Sequence, residues 1–204
     1  DHLRMTLHSD LQDFAVSPDE SEIALVVRGE VFVCSFENGE IGDAARITET
    51  PAREKDVAWL DDASLLFSSD REANYDIYVA RPAEEAKEKL SESLLHRIER
   101  LTDSPEDEFG AFVSPDGETV AYLVGSEYLW TMNADGSGAR RLLPDAEILH
   151  AAWSPEGRRF IDGVPSHPPP SHAGRRGLGG LPAGGRVGPE EALEHGGGRV
   201  RRVQ

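Results

Sequence analysis

Apolar residues along this chain come in runs of about four to six, each broken by a compact polar turn. Ile23-Ala24-Leu25-Val26-Val27 follows Val16-Ser17-Pro18-Asp19-Glu20, and Val120-Ala121-Tyr122-Leu123 follows Val113-Ser114-Pro115-Asp116-Gly117. Trp153-Ser154-Pro155-Glu156-Gly157 precedes Arg158-Arg159-Phe160-Ile161, and a worn copy, Trp59-Leu60-Asp61-Asp62-Ala63, precedes Leu65-Leu66-Phe67. Short apolar runs between turn residues predict strands. In the turn, Pro115 presets φ at the first corner, Asp116 can bond its own backbone, and Gly117 takes the left-handed position without steric cost. The turn therefore joins the first strand of each unit to the second.

Setting the units on Val16, Trp59, Val113 and Trp153 gives steps of 43, 54 and 40 residues. A second marker agrees: Arg46-Ile47-Thr48-Glu49-Thr50-Pro51 matches Arg100-Leu101-Thr102-Asp103-Ser104-Pro105, and Arg141-Leu142-Leu143 follows. A period near 40–45 residues with several short strands per unit predicts a β-propeller blade. The blades fall at about residues 10–52, 53–105 and 106–146, and a further one starts at 147–162.

Four strands are expected in each complete blade. In the first they are 13–17, 22–27, 30–35 and 45–48, with Arg28-Gly29 as a two-residue hairpin link. In the second they are 56–59, 64–68, 75–80 and 98–102, with Glu72-Ala73-Asn74 as the hairpin and Asn74 suited to positive φ. In the third they are 109–113, 119–124, 128–133 and 140–143; the fourth offers only 150–154 and 158–162. The long step contains residues 82–96, rich in helix formers, with Leu90, Leu94 and Leu95 on one face. They predict a short surface helix at a blade edge.

Residues 163–204 break the pattern. They hold 11 of the 20 glycines and 6 of the 13 prolines, and Gly196-Gly197-Gly198 is not expected to form a strand. A disordered tail is one reading. The other is an off-frame read of GC-rich codons, favoured because the break falls inside a repeating unit. The opening Asp1-His2-Leu3-Arg4 lacks an initiator Met and a signal pattern, so the chain reads as an internal piece or a mature form.

Charge sharpens the division. Residues 1–162 carry 15 Lys+Arg against 35 Asp+Glu, net −20, whereas 163–204 carry 6 Arg and 3 Glu, net +3. Such an acidic domain repels phosphate backbones, which argues against nucleic acid and favours basic or cationic peptide partners. No apolar run approaches the ~20 residues of a membrane span. The single cysteine, Cys34, has no partner for an internal disulfide and reads as a small buried hydrophobe.

Candidate chemistry is sparse. There is no G-x-S-x-G elbow, and no Ser or Cys sits beside a recognisable base. His2, His8, His96, His150, His167, His172 and His195 show no metal-ligand spacing. His8 and His150 fall at repeat boundaries and read as surface or strand-end residues. Asp103, Glu106, Asp107 and Glu108 lack the alternation and central Gly of a calcium loop and read as a solvated inter-blade loop. Glu54, Lys55 and Asp56 stand at the equivalent place one repeat earlier, so a ring of polar residues near one channel mouth is expected. Phe32, Tyr75, Tyr78, Tyr128 and Trp130 fall in third strands and are expected in inter-blade cores. No catalytic, cofactor-binding or metal-ligating residue is assigned, and no cofactor is expected.

The S-P-D-G turn, the Arg100–Pro105 link and the Tyr128–Leu143 strand–turn–strand resemble the TolB-type, WD-like propeller repeat. Residues 7–19, 27–33 and 53–59 resemble the first propeller of tricorn-type serine proteases, with the likeness extending over about residues 3–161. The resemblance implies an all-β partial propeller of three four-stranded blades plus the start of a fourth, from a ring of six or seven. It implies a non-catalytic propeller that admits or filters peptides for a distant C-terminal protease domain with a PDZ module. No catalytic motif of that domain matches here. The implied partners are peptide or protein substrates and the missing blades and protease domain of the parent chain, with periplasm or cell envelope favoured over cytoplasm. A TolB-like interaction propeller without a protease and the propeller of a prolyl-oligopeptidase-type hydrolase are the alternatives.

Overall fold

The computed structural model describes residues 10–84, 87–125, 128–142, 150–154, 159–163 and 198–202. The chain divides into two compact units, Asp1–Ala146 and Glu147–Gln204. In the first unit run β1 (Leu11–Val16), β2 (Glu22–Val27), β3 (Glu30–Glu37), β4 (Glu40–Arg46), β5 (Glu54–Asp61), β6 (Ser64–Ser69), β7 (Asp76–Pro82), β8 (His96–Arg100), β9 (Glu108–Val113), β10 (Thr119–Val124), β11 (Tyr128–Asn133) and β12 (Arg140–Arg141). They form three four-stranded antiparallel sheets, each in simple chain order.

The alternation of side chains stacks these sheets face to face. Ala24, Val26, Val31 and Val33 of the first sheet meet Val57, Trp59, Leu65, Phe67, Tyr78 and Ala80 of the second in one core. The opposite face of the second sheet, with Leu66, Ile77 and Val79, meets Ala111, Val120, Tyr122 and Met132 of the third in another. The middle sheet is thus covered on both faces, which is why β6 reads as a continuous buried run rather than an alternating one. Successive meanders stacked in this way are propeller blades, and the fold is an all-β partial propeller.

The turns behave as their residues require. Ser114 Oγ donates to Asp116 Oδ1 at 2.6 Å and accepts the Thr119 N–H at 2.9 Å, while Gly117 sits at φ +75°. Ser17 and Asp19 repeat the arrangement at 2.7 Å, and the Ser21 and Ser17 hydroxyls pull the Asp19 carboxyl down to about 2.

Four sequence expectations change. β4 lies earlier than 45–48, because Asn38 and Gly39, at φ +53° and +82°, form a tight hairpin that starts it at Glu40. In the second blade it is Ala73 that takes positive φ (+90°). Asn74 instead donates to the carbonyls of Ser104 and Glu106 at 3.1 and 2.9 Å.

The helix expected over 82–96 is not present among its described residues. β7 runs on through Pro82 and β8 starts at His96. Leu90 is drawn fully into the first core, and Glu22 accepts the Leu90 and Ser91 N–H groups at 3.3 and 2.7 Å. Leu94 and Leu95, expected on the same apolar face, are exposed.

In the second unit β13 (His150–Trp153), β14 (Arg159–Gly163) and β15 (Gly198–Arg202) form a three-stranded antiparallel sheet. Gly198 therefore does enter a strand: it is the terminal residue of an edge strand, opposite Gly163, and Val200 pairs with Ile161 further in. Residues 164–197, most of the expected tail, lie outside the described residues.

Candidate functional site

The polar positions of the structure concentrate where one blade hands the chain to the next. The ladder continues past β4 and β8, because Ile47 N–H reaches Val31 O and Leu101 N–H reaches Ile77 O, both at 2.8 Å. One residue on, Thr48 Oγ1 accepts the Val31 N–H and Thr102 Oγ1 accepts the Ile77 N–H, both at 2.9 Å. Six residues after each threonine comes a glutamate at the start of the next blade. The Glu54 N–H donates to Gly29 O at 2.8 Å and the Glu108 N–H to Tyr75 O at 2.6 Å. Both glutamates are buried, at 2% and 5% exposure. The repeated pattern is Thr-x-Thr/Ser-Pro-x-x-Glu, residues 48–54 and 102–108.

Each carboxylate is held by local donors. Glu54 accepts from Thr48 Oγ1 at 3.1 Å, Ser69 Oγ at 3.0 Å and Arg71 Nη2 at 3.2 Å. The Arg71 guanidinium also lies 4.5 Å from the centre of the Tyr78 ring and 5.5 Å from that of Phe67. Burial pushes the Glu54 carboxyl above its ordinary range, and Ser69, Thr48 and Arg71 oppose that push. Glu108 accepts the Ser104 N–H at 3.2 Å. Burial raises its carboxyl too, opposed by hydrogen bonds from Thr102 and Ser104, and no Arg or Lys among the described residues pairs with it.

A cavity opens beside each glutamate. The one at the first junction, about 440 Å³, is bounded by Thr50, Pro51, Ala52, Asp70 and Arg71, so it ends at the arginine. The one at the second, about 250 Å³, reaches inward to Glu108, Tyr122 and Trp130.

The first strands of successive blades are cross-linked as well. Asp13 Oδ2 accepts the Val57 N–H at 3.0 Å, and Asp56 Oδ2 accepts the Gly110 N–H at 3.2 Å. Each pairing is irregular there, and Asp56 and Gly110 sit at φ +56° and +65°. Lys55 Nζ lies 4.2 Å from the Tyr75 ring centre and 4.0 Å from that of Phe109, holding the second and third blades together by cation–π attraction.

No family model and no curated protein sequence matches the chain. Solved structures do match its fold. A putative TolB from Agrobacterium tumefaciens is 20% identical, with a TM-score of 0.57, over 74% of this chain and 53% of that one. That likeness is one of fold, a β-propeller. The tricorn protease is similar at 14% identity and TM-score 0.59, over 79% of this chain and 14% of that one. A puromycin-hydrolyzing peptidase of Mycobacterium tuberculosis is similar at 18% identity and TM-score 0.54, over 76% of this chain and 26% of that one. The chain thus spans about half the length of the TolB structure and a smaller share of the two peptidases.

Within these blades, the expected polar equivalence of Glu54, Lys55 and Asp56 with the 103–108 segment appears as two buried glutamate junctions. The reading of 103–108 as a wholly solvated loop is corrected at Glu108, which is buried against its desolvation cost by hydrogen bonds from Thr102 and Ser104; Asp107 is exposed, with its Oδ1 accepting the Tyr75 N–H at 3.0 Å. Asp103 and Glu106 are exposed. Tyr78 and Phe32 are core residues, while Tyr128 and Trp130 pack against the second core. Tyr75 lies just before β7, under Lys55, rather than in a core. Cys34 is buried and free, and burial raises its thiol. His2, His8, His167, His172 and His195 lie outside the described residues; His150 opens β13, and His96 opens β8 with its ring against Leu90 O at 3.0 Å. Among the described residues no group of three His, Cys, Asp or Glu side chains is placed to hold a metal. The buried glutamates were legible only as the shared sixth residue after each threonine, a spacing easily lost in an acidic loop.

Proposed function

We propose that this chain is a non-catalytic, substrate-gating and scaffold propeller of a tricorn-like, peptide-degrading serine protease. The observation that supports it most is the match of 79% of the chain to the tricorn protease structure. The acidic balance of residues 1–162 adds a field that draws cationic peptides. Such a chain binds basic peptides and cleaves none of them, because the chemistry sits on another part of the parent protein.

The test is fluorescence anisotropy with labelled cationic, neutral and anionic peptides, paired with a cleavage assay. The expected result is binding of the cationic set, weakening steeply with salt, without hydrolysis. Equal indifference to all three sets, or cleavage by this chain alone, sinks the proposal. A second reading, a TolB-like protein-interaction propeller of the periplasm or cell envelope, draws on the TolB match over 74% of the chain. It is preferred if only a folded protein partner, and no peptide, is retained.

A further inference from the structure

The two blade junctions share one design and differ at one place. Phe67 pairs with Tyr78 in the second blade, and Tyr122 pairs with Trp130 at the same register of the third. Glu108 stands where Glu54 stands, and Thr102 where Thr48 stands. In the second blade the space between carboxylate and rings is filled by the chain's own Arg71, which bonds Glu54 and lies over Tyr78 and Phe67. Arg71 comes from the β6–β7 loop, residues 70–75. The β10–β11 link, residues 125–127, is three residues shorter, reads Gly-Ser-Glu and carries no cation.

The corresponding space in the third blade is the 250 Å³ cavity, lined by Thr102, Ser104, Glu108, Tyr122 and Trp130. Glu108 is buried there without a cation among the described residues. Among the described residues the Trp130 Nε1–H is buried with no acceptor. Arg141, the strand partner of Trp130, lies 3.8 Å from the Tyr128 ring centre and does not line the cavity. Asp103, at the mouth, pairs with Arg100 at 2.9 Å.

We propose that this cavity binds a guanidinium group, that of an arginine side chain in a peptide, paired to Glu108 and stacked on the Tyr122 and Trp130 rings. The template is internal, since the second blade shows the same carboxylate-and-ring frame closed around a guanidinium. A planar, weakly hydrated guanidinium suits a ring-lined carboxylate site better than an ammonium does. A carbonyl of the same ligand supplies the acceptor that Trp130 Nε1–H lacks. The peptide as source of the arginine rests on the gating reading above; the guanidinium chemistry does not.

The experiment is a titration of the ¹⁵N-labelled 204-residue chain, following the Trp130 indole N–H. The probes are N-acetyl-arginine amide, N-acetyl-lysine amide, and pentapeptides with central Arg or Ala. The arginine amide is expected to shift the Trp130 resonance and to bind at least about threefold more tightly than the lysine amide. Glu108→Gln, checked for an unchanged spectrum elsewhere, is expected to weaken binding about tenfold. An unmoved Trp130 resonance, or an unweakened Glu108→Gln protein, overturns the site.

If Glu108→Gln does not fold, Arg71→Ala serves instead. It empties the template site, and N-acetyl-arginine amide is expected to raise its melting temperature more than that of the parent chain. Equal rises overturn the proposal. Arginine amide binding with no peptide binding leaves the guanidinium site and removes the peptide source. Arg and Ala pentapeptides binding alike sinks the site and leaves the peptide reading standing.

Discussion

Glu22, at the start of β2, accepts the main-chain N–H of Ser91 at 2.7 Å across 69 residues of sequence. With the Leu90 N–H on its other oxygen, this fully buried carboxylate ties the long excursion between β7 and β8 to the first blade. The excursion is therefore a clasp across two blades rather than an ornament on one.

The clasp has a measurable strength. Glu22→Ala strands one buried and one partly buried N–H group, and a loss of about 1–3 kcal/mol is expected in urea denaturation. Leu90→Ala removes a core side chain and is expected to cost about 2–5 kcal/mol. Hydrogen exchange of residues 87–95 should accelerate in both variants. Unchanged exchange in Glu22→Ala refutes the clasp.

Arg71 and Glu54 form a largely buried ion pair in the second blade, at 19% and 0% side-chain exposure. Removing only the cation leaves a buried charge unpaired, so Arg71→Met is expected to destabilise the chain by about 3 kcal/mol. The double variant Arg71→Met with Glu54→Gln should recover part of that loss, read as coupling in a double-mutant cycle. Additive losses contradict the pairing.

The titration curve should bend in two directions. Burial holds the Glu54 and Glu108 carboxyls above their ordinary range. The folded chain therefore binds protons before the unfolded chain does. These two groups add stability as pH falls through their raised values toward the ordinary ~4.3, and remove it as pH rises. Asp19, lowered to about 2, and the lowered Asp116 act oppositely: their support is present above ~3.9 and is lost as pH falls toward 2. Thermal melts from pH 7 to 2 are expected to pass through a mildly acidic maximum. Glu54→Gln with Glu108→Gln should flatten its alkaline flank, and an unchanged flank contradicts the assignment.

The first blade carries an apolar face that its counterparts bury. Phe14 and Val16, 62% and 46% exposed, share a face with their strand partners Leu25 and Ile23. The matching strand in the second blade instead buries Val57 and Trp59 against the first. Phe14→Glu with Val16→Lys is expected to reduce concentration-dependent self-association in sedimentation without lowering the melting temperature. Undiminished association sinks the idea that this face drives it.

Much of the architecture was legible because the repeat is local. The turn Ser114-Pro115-Asp116-Gly117 sets its geometry with residues that touch one another, and β10 and β11 fall where their apolar runs end. The same locality failed at residues 82–96. Helix propensity is a short-range preference worth tenths of a kcal/mol per residue, and a buried Leu90 with a distant carboxylate outweighs it. It failed again at Asn38-Gly39, where a hairpin signal sat inside a polar stretch with no strong apolar run after it.

The sequence by itself determined the period, most of the strands, the acidic balance and the lack of a recognisable nucleophile motif. Those depend on spacing and composition. Only the tertiary structure decided that Glu54 and Glu108 are buried, that Arg71 fills one of two matching sites, and that the other stands open beside Trp130. Desolvation and pairing are properties of the surroundings, and the chain makes those surroundings from residues far apart in sequence.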